Sequence, residues 1–315
     1  MTARDVLDAV ADALGDLARR DVPLGPLTTY RVGGPAALFV TVDGEPELRR
    51  VVDAVRGAAV DVLVVGKGSN LLVADAGFHG LALVLGDAFA DVAIDGVTVQ
   101  AGGAAALPVV ARRTAAAGLT GFEWAVGVPG SIGGAVRMNA GGHGSDMARS
   151  LTRVRVVDLA DGEDGWVLAT ALDLGYRHSS ITPSQVVVRA ELALADGDVA
   201  TSEAAIASIV KWRREHQPGG QNAGSVFTNP ADDSAGRLID SAGCRGMRHG
   251  TAVVSDKHAN FFIADPGGRA DDVYALMGKV RRRVHEVHGC WLRAETRLVG
   301  FPAPGGHNPD VEVEG

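Results

Sequence analysis

Between Gly127 and Gly144 the chain carries seven glycines in eighteen residues. Glycine costs about 0.5–1 kcal/mol of extra ordering when it is fixed in regular structure, so such density needs a physical reason. Two reasons are open: a tight crossing of sheet and helix, or a large, flat or charged ligand that approaches the main chain. The periodicity of the stretch suits neither helix nor strand, and it reads as a loop.

A second glycine cluster follows the apolar run Val62-Leu63-Val64-Val65, which leads directly into Gly66-Lys67-Gly68-Ser69-Asn70. Backbone N–H groups that no side chain shields suit the oxygens of a pyrophosphate, although an ordinary turn has the same composition. A Walker A loop ends in Gly-Lys-Ser/Thr and a Rossmann turn opens a helix. Here Leu71-Leu72-Val73 continues as a strand, which excludes both.

The rest of the chain alternates short elements. Val6, Leu7, Val10, Leu14 and Leu17 fall at helical spacing after a Thr2/Asp5 capping box. Ala37–Val42, Glu45–Arg56 and Asp61–Val65 read as a compact β-α-β unit. Leu81–Leu85 is a strand, and Val92–Ile94 with Val97–Val99 form a hairpin about Asp95-Gly96, which favours an antiparallel second layer. Ala106–Ala117 is helical and stops at Gly118. Strands at Arg153–Leu159, Trp166–Ala169 and Val186–Leu194 close this half, and Ala195-Asp196-Gly197-Asp198 breaks the pattern. Beyond it, helices at Ser202–Arg214 and Ala270–His288 accompany strands at Thr251–Val254, Phe261–Ala264 and Trp291–Val299. The expected division is a lead segment over 1–25, a domain over 26–195 with lobes of about 26–85 and 86–195, a second over 196–301, and a disordered tail over 302–315.

With 315 residues, a hydrophobic fraction of 46% and a charged fraction of 22%, the chain is long enough for two or three cores. No apolar run reaches the roughly 20 residues of a membrane helix, and the start lacks the order of a signal peptide, so a cytoplasmic protein is expected. A net charge of −8 opposes binding to nucleic acid on average. The two cysteines, Cys244 and Cys290, make neither a disulfide framework nor a paired metal site. His285 and His288 lie three apart on a helix without a further ligand in sequence, and no metal is expected.

VVGKGSNLLV at 64–73, GVPGSIGGAVRMNAGGHG at 127–144, GYRHSS at 175–180, AGSVFTNP at 223–230, VVSDKHANFFI at 253–263 and LRAETRLVGF at 292–301 occur in this order. Together they resemble the ordered motifs of the UDP-N-acetylenolpyruvoylglucosamine reductases, from about Leu27 to Phe301. The resemblance implies an α+β chain with an FAD-binding fold of the vanillyl-alcohol-oxidase type in two subdomains, followed by an α+β substrate-binding domain. It implies noncovalent FAD held by Val65-Gly66-Lys67-Gly68-Ser69-Asn70-Leu71 and by Gly127, Pro129, Gly130, Ser131, Gly133, Gly134, Asn139, Ala140 and Gly141. It further implies NADPH as co-substrate and UDP-N-acetylglucosamine enolpyruvate as the sugar reduced, by a monomer.

Hydride addition to a vinyl carbon leaves negative charge on the neighbouring carbon and carboxylate, and the other carbon then needs a proton. The resemblance gives Arg177 the carboxylate and enolate, Ser225 the proton, and Glu295 a place near both. Read without it, Arg177 would be a surface ion-pairing residue, Ser225 a turn or cap residue, and Glu295 a cross-strand partner of Arg293 or Arg297. Tyr176, Arg213, Asn222 and the Lys257-His258 pair are further candidates for substrate contact. The family often has lysine at the positions of Thr228 and His216, so no phosphate contact is carried over to this chain from those positions. The short interval from Tyr176 to Val186 points to the subclass without a substrate-capping insertion. Two other readings remain open at this level: a different flavoenzyme of the same fold, and a flavin-binding module without catalysis.

Overall fold

The opening helix, Ala3–Leu14, begins where its capping box places it: Thr2 Oγ1 accepts from Asp5 N at 3.2 Å, and the Asp5 carboxylate accepts from Thr2 N at 2.7 Å. In the computed structural model, which describes residues 2–301, the chain divides into two compact units. One comprises the residues up to Asp21, Ala37–Lys67 and Gly80–Arg213, and the other Val22–Ala36, Gly68–His79 and the residues from Arg214 onward. The expectation for 302–315 lies outside the described residues.

The first unit holds two cores. In one, Val10 and Leu14 of the opening helix and Leu48, Val51 and Val55 of the helix Glu45–Val55 pack on Val40, Leu81 and Leu83. These last three residues stand on a sheet whose strand order is Arg19–Pro23, Pro35–Val42, Phe78–Leu85, Val62–Val64. The expected β-α-β unit is therefore opened by an inserted strand. Val62–Val64 pairs in parallel with Leu81–Leu83 rather than with the strand that precedes the helix.

The second core lies on a five-stranded antiparallel sheet, ordered Asp164–Leu168, Leu151–Asp158, Gln185–Ala193, Thr98–Gly102, Val92–Asp95. The expected hairpin is present, with Asp95 opposite Thr98 and Gly96 at φ 55°. Leu107, Val110 and Ala111 of the helix Leu107–Ala116 pack with Val99, Ala101, Val154 and Leu192. The unit continues past the polar break at residues 195–198. Ala195 and Asp196 pair with Thr120 and Leu119, and Ser202 of the helix Val199–His216 donates to Glu123 at 2.7 Å.

In the second unit a three-stranded antiparallel sheet, Arg248–His249, Ala252–Val254 and Phe262–Ala264, packs with the helix Ala270–His288. That helix ends on Gly289 in the left-handed region, as its sequence requires. A shorter helix, Ala235–Ser241, was not expected; Ser234 caps it, and Ala235, Leu238 and Ile239 bury one face. The expected strand Trp291–Val299 is reduced to Arg297–Val299, parallel to Leu71–Val73. Residues before it follow side-to-backbone and irregular bonds instead. Leu292 O accepts from the Arg281 side chain, Thr228 N donates to Arg293 O, and Glu295 N donates to Val226 O.

The long helix takes its N-terminal cap from a distant residue. Arg269 at its N-cap supplies no side-chain bond, whereas Asp75 Oδ1 accepts from Ala270 N at 2.9 Å and Asp75 Oδ2 from Arg269 Nε at 3.0 Å. An anionic acceptor at a helix start satisfies an orphan N–H and complements the dipole. Replacing Asp75 with Ala is expected to lower stability in chemical denaturation by about 1–2 kcal/mol, with Asn recovering part of the loss. Parent-like stability of Asp75→Ala would show that the cap contributes nothing.

Candidate functional site

The strand Val62–Val64 delivers the chain to a loop whose backbone donors lack protein partners. Val65 N donates to Leu83 O at 2.8 Å, but among the described residues nothing accepts from the N–H groups of Gly66, Lys67, Gly68, Ser69 or Asn70. Such donors require water or a ligand's acceptors. Gly68 is buried at φ 59°, and a Cβ there would lie 2.0 Å from Leu27 O, so close packing on backbone explains this glycine directly. Asn70 is tied into its own unit: its side chain donates to Glu295 O at 3.0 Å and its carbonyl accepts from Arg297 N at 2.9 Å. Leu71 lies opposite Arg297 in the parallel pair.

The glycine-rich stretch meets the first loop within the first unit. A Cβ on Gly66 would lie 2.5 Å from Ser131 Oγ, so the absence of a side chain lets the two segments touch. The stretch is not purely loop. Ser131 caps a six-residue helix, Ile132–Arg137, and a small hairpin pairs Gly141–Gly142 with Ser145–Asp146. Its signal was present in the serine and in the buried Ile132, Ala135 and Val136, spaced three and four apart, but the glycines obscured it. Gly133 passes close to the sheet: its N–H donates to Gly103 O at 2.9 Å, and an added Cβ would meet Val187 O at 3.1 Å. Gly127 packs against the His143 ring, Gly130 O accepts from Leu107 N, and Ala140 is fixed by bonds to Ala135 and Met147. Gly134 N reaches Ser131 Oγ at 3.4 Å, while Pro129 is exposed.

Arg177 occupies the left-handed region at φ 58°, which a non-glycine residue adopts only under local constraint. Its Nη2 donates to Gly141 O at 3.1 Å, and the guanidinium lies 5.2 Å from the ring centre of the exposed Tyr176. Thus the first unit places Arg177 directly on the glycine-rich stretch. Arg213, on the helix Val199–His216, is half-buried, and burial lowers its pKa. Burial, and then the Arg213 charge, lower the pKa of His143, whose ring stands edge-on to Trp212 at 5.2 Å.

The second unit brings Ser225 and Glu295 onto neighbouring segments. Glu295 N donates at 2.8 Å to the carbonyl of Val226, the residue after Ser225. Glu295 is thus on irregular backbone rather than on the expected strand. Asn222 shapes the approach to the serine, accepting from Gly224 N at 3.1 Å and donating to Gly220 O at 3.1 Å. A residue not singled out in the sequence, Asn260, holds the other side. It is 2% exposed, donates to Phe227 O, and accepts from Phe227 N on its side chain and from Val226 N on its carbonyl. An asparagine inside an apolar run, Ala259-Asn260-Phe261-Phe262, was the available signal.

Lys257 donates to Arg214 O, and Thr228 to Arg293 O, so both are used locally. His285 stacks on Trp291 at 4.1 Å; among the described residues no group of three His, Cys, Asp or Glu could hold a metal ion. No described helix is long and apolar enough to cross a membrane.

Residues 36–164 match the FAD binding domain family, and residues 216–299 match the C-terminal domain of UDP-N-acetylenolpyruvoylglucosamine reductase. The curated UDP-N-acetylenolpyruvoylglucosamine reductase of Acidiphilium cryptum is 43% identical over 90% of this chain and 92% of its own length. The chain belongs to the UDP-N-acetylenolpyruvoylglucosamine reductase family. A second member, from Symbiobacterium thermophilum, is 40% identical over 92% of this chain and 93% of its own. The crystal structure of the reductase from Thermus caldophilus matches with a TM-score of 0.78 and 35% identity, covering 90% of this chain and 99% of the other. The expected class therefore stands: an α+β flavoprotein oxidoreductase of this family, with an FAD-binding domain of the vanillyl-alcohol-oxidase type and FAD as its cofactor.

His258 offers a pH test of the second unit. Its Nδ1 accepts from Asn260 N at 3.2 Å, and burial, then the Arg245 charge, hold its pKa below the ordinary imidazole range. The unfolded chain therefore binds the proton first as pH falls, so this contribution is present above about pH 6.5 and is lost on acidification. Denaturation curves from pH 7.5 to 5.5 are expected to show a shallower loss of stability for His258→Gln than for the parent. Equal slopes would exclude His258 as a source of acid sensitivity.

Proposed function

We propose that this chain reduces the enolpyruvyl double bond of UDP-N-acetylglucosamine enolpyruvate at the expense of NADPH, yielding UDP-N-acetylmuramate. The observation that carries the reading is the backbone bond from Glu295 N to Val226 O, which joins the candidate proton donor Ser225 and a carboxylate on adjacent segments. The N–H groups of residues 66–70, without a partner among the described residues, and the close approach of Gly66 to Ser131 fit a cofactor whose diphosphate needs donors and whose flat body needs bare backbone. When bound, FAD supplies the two-electron relay between NADPH and the sugar. Gly66, Lys67, Ser69, Gly130, Ser131 and Gly141 are the residues proposed to hold it.

The protein's own residues then handle charge and proton. The planar fork of Arg177 holds the substrate carboxylate and favours the enolate as negative charge spreads onto it. Ser225 delivers a proton to the carbon that bears the charge. A free serine hydroxyl is a poor acid, so its position must be fixed, and the clamp of Asn260 on Val226 and Phe227 serves that need. Glu295 orders the same segment. Tyr176, Arg213 and Asn222 contribute to binding the nucleotide sugar. This reading assigns the protein to the cytoplasm, as a monomer of the subclass without the capping insertion.

Anaerobic half-reactions test the assignment. In Ser225→Ala, reduction by NADPH is expected to stay within about threefold of the parent, because no proton to carbon is involved. Reoxidation by the enolpyruvyl sugar should slow on the order of 10²–10⁴-fold. Equal slowing of both halves would reject Ser225 as the proton donor.

A further inference from the structure

The sequence resemblance makes Asn139 a cofactor contact, but both ends of its side chain are bonded within the protein. Asn139 is 3% exposed; its Nδ2 donates to Gly175 O at 2.8 Å and its Oδ1 accepts from Ala148 N at 2.9 Å.

Gly175 opens the turn that carries Tyr176 and Arg177. Gly175 and His178 exchange two backbone bonds, N to O at 3.1 Å and 3.2 Å, and Arg177 stands inside that closed turn at φ 58°. Such a conformation persists only when its surroundings impose it. Three ties do so: Asn139 to Gly175 O, Ser179 Oγ to Arg137 O at 2.8 Å, and Arg177 Nη2 to Gly141 O. Two of them run to Asn139 or its near neighbour Gly141. Asn139 itself is left-handed at φ 37°, and its carboxamide bridges the turn and Ala148 beyond the small hairpin.

We infer that Asn139 is a positioning residue, holding the Gly175–His178 turn so that the Arg177 guanidinium is presented for the substrate carboxylate. This rests on the reading of Arg177 given above. It predicts that removing the donor alone, without the acceptor, mimics loss of Arg177 in the half-reaction where Arg177 acts.

Asn139→Asp does this: one oxygen still accepts from Ala148 N, while the other faces Gly175 O without a proton to give. In the FAD-loaded protein, Asn139→Asp and Asn139→Ala are expected to keep one flavin per chain and near-parent reduction by NADPH. Reoxidation by the enolpyruvyl sugar should slow by roughly 10- to 100-fold, and product UDP-N-acetylmuramate should bind more weakly in a flavin absorbance titration. Adding Arg177→Ala to Asn139→Asp should slow reoxidation further by less than about threefold, since both changes remove one device. Amide exchange at His178 should also quicken in Asn139→Asp. Parent-rate reoxidation in Asn139→Asp, with a slow Arg177→Ala, overturns this inference alone. Full additivity of the two changes, or loss of flavin with equal slowing of both halves, also overturns it in favour of a structural role. Parent-rate reoxidation in Arg177→Ala overturns the reading of Arg177 and this inference with it.

Discussion

A backbone N–H removed from other acceptors must find one, because leaving it unpaired costs on the order of a hydrogen bond. Five consecutive residues, Gly66 to Asn70, carry this demand without a partner among the described residues. The surrounding structure keeps the demand in place. The parallel pairing of Val62–Val64 with Leu81–Leu83 brings the chain to the loop, and Gly68 is locked by its approach to Leu27 O. The Leu71–Val73 pairing with Arg297–Val299 carries it away. Within each unit, a donor held by such packing is set in place beforehand, so a ligand with matching acceptors loses little to reorganisation there.

The same device recurs around the candidate reactive side chains. In each unit a buried asparagine uses both ends of its carboxamide to hold backbone beside one of them: Asn139 for the turn of Arg177, Asn260 for the segment after Ser225. Asparagine suits this task because it offers a donor and an acceptor in one short, neutral group, so burial with both satisfied is tolerated. Arg177 and Ser225 are themselves partly accessible, and the backbone that carries them is held from behind.

Much of the fold was legible in the sequence where a local rule decides it. The Thr2 capping box, the Asp95-Gly96 hairpin and the helix Ala270–His288 with its Gly289 stop follow from periodicity and turn chemistry. Long-range pairing was less legible. Nothing local says that Phe78–Leu85 inserts into the β-α-β unit, that Asp75 caps a helix beginning near residue 270, or that residues 291–296 follow Val226 and Thr228 rather than extend as a strand. The glycine loops were visible as composition, yet their short capped helix was hidden by the low helix propensity of glycine. Arg177, Ser225 and Glu295 stood out through ordered motifs rather than through physics, since each has an ordinary surface role when read alone. Asn139 shows the reverse case: its side-chain bonds to Gly175 and Ala148 are long-range and could not be read from the motif that contains it.

Hydrogen exchange at the amides of Gly66 to Asn70, measured on apoprotein, with FAD and with riboflavin, tests the central claim most directly. If these donors hold the cofactor's diphosphate, FAD should slow their exchange by at least about tenfold, and riboflavin, which has no phosphate, should leave it near the apoprotein rate. Exchange unchanged by FAD, or slowed equally by riboflavin, would contradict the account.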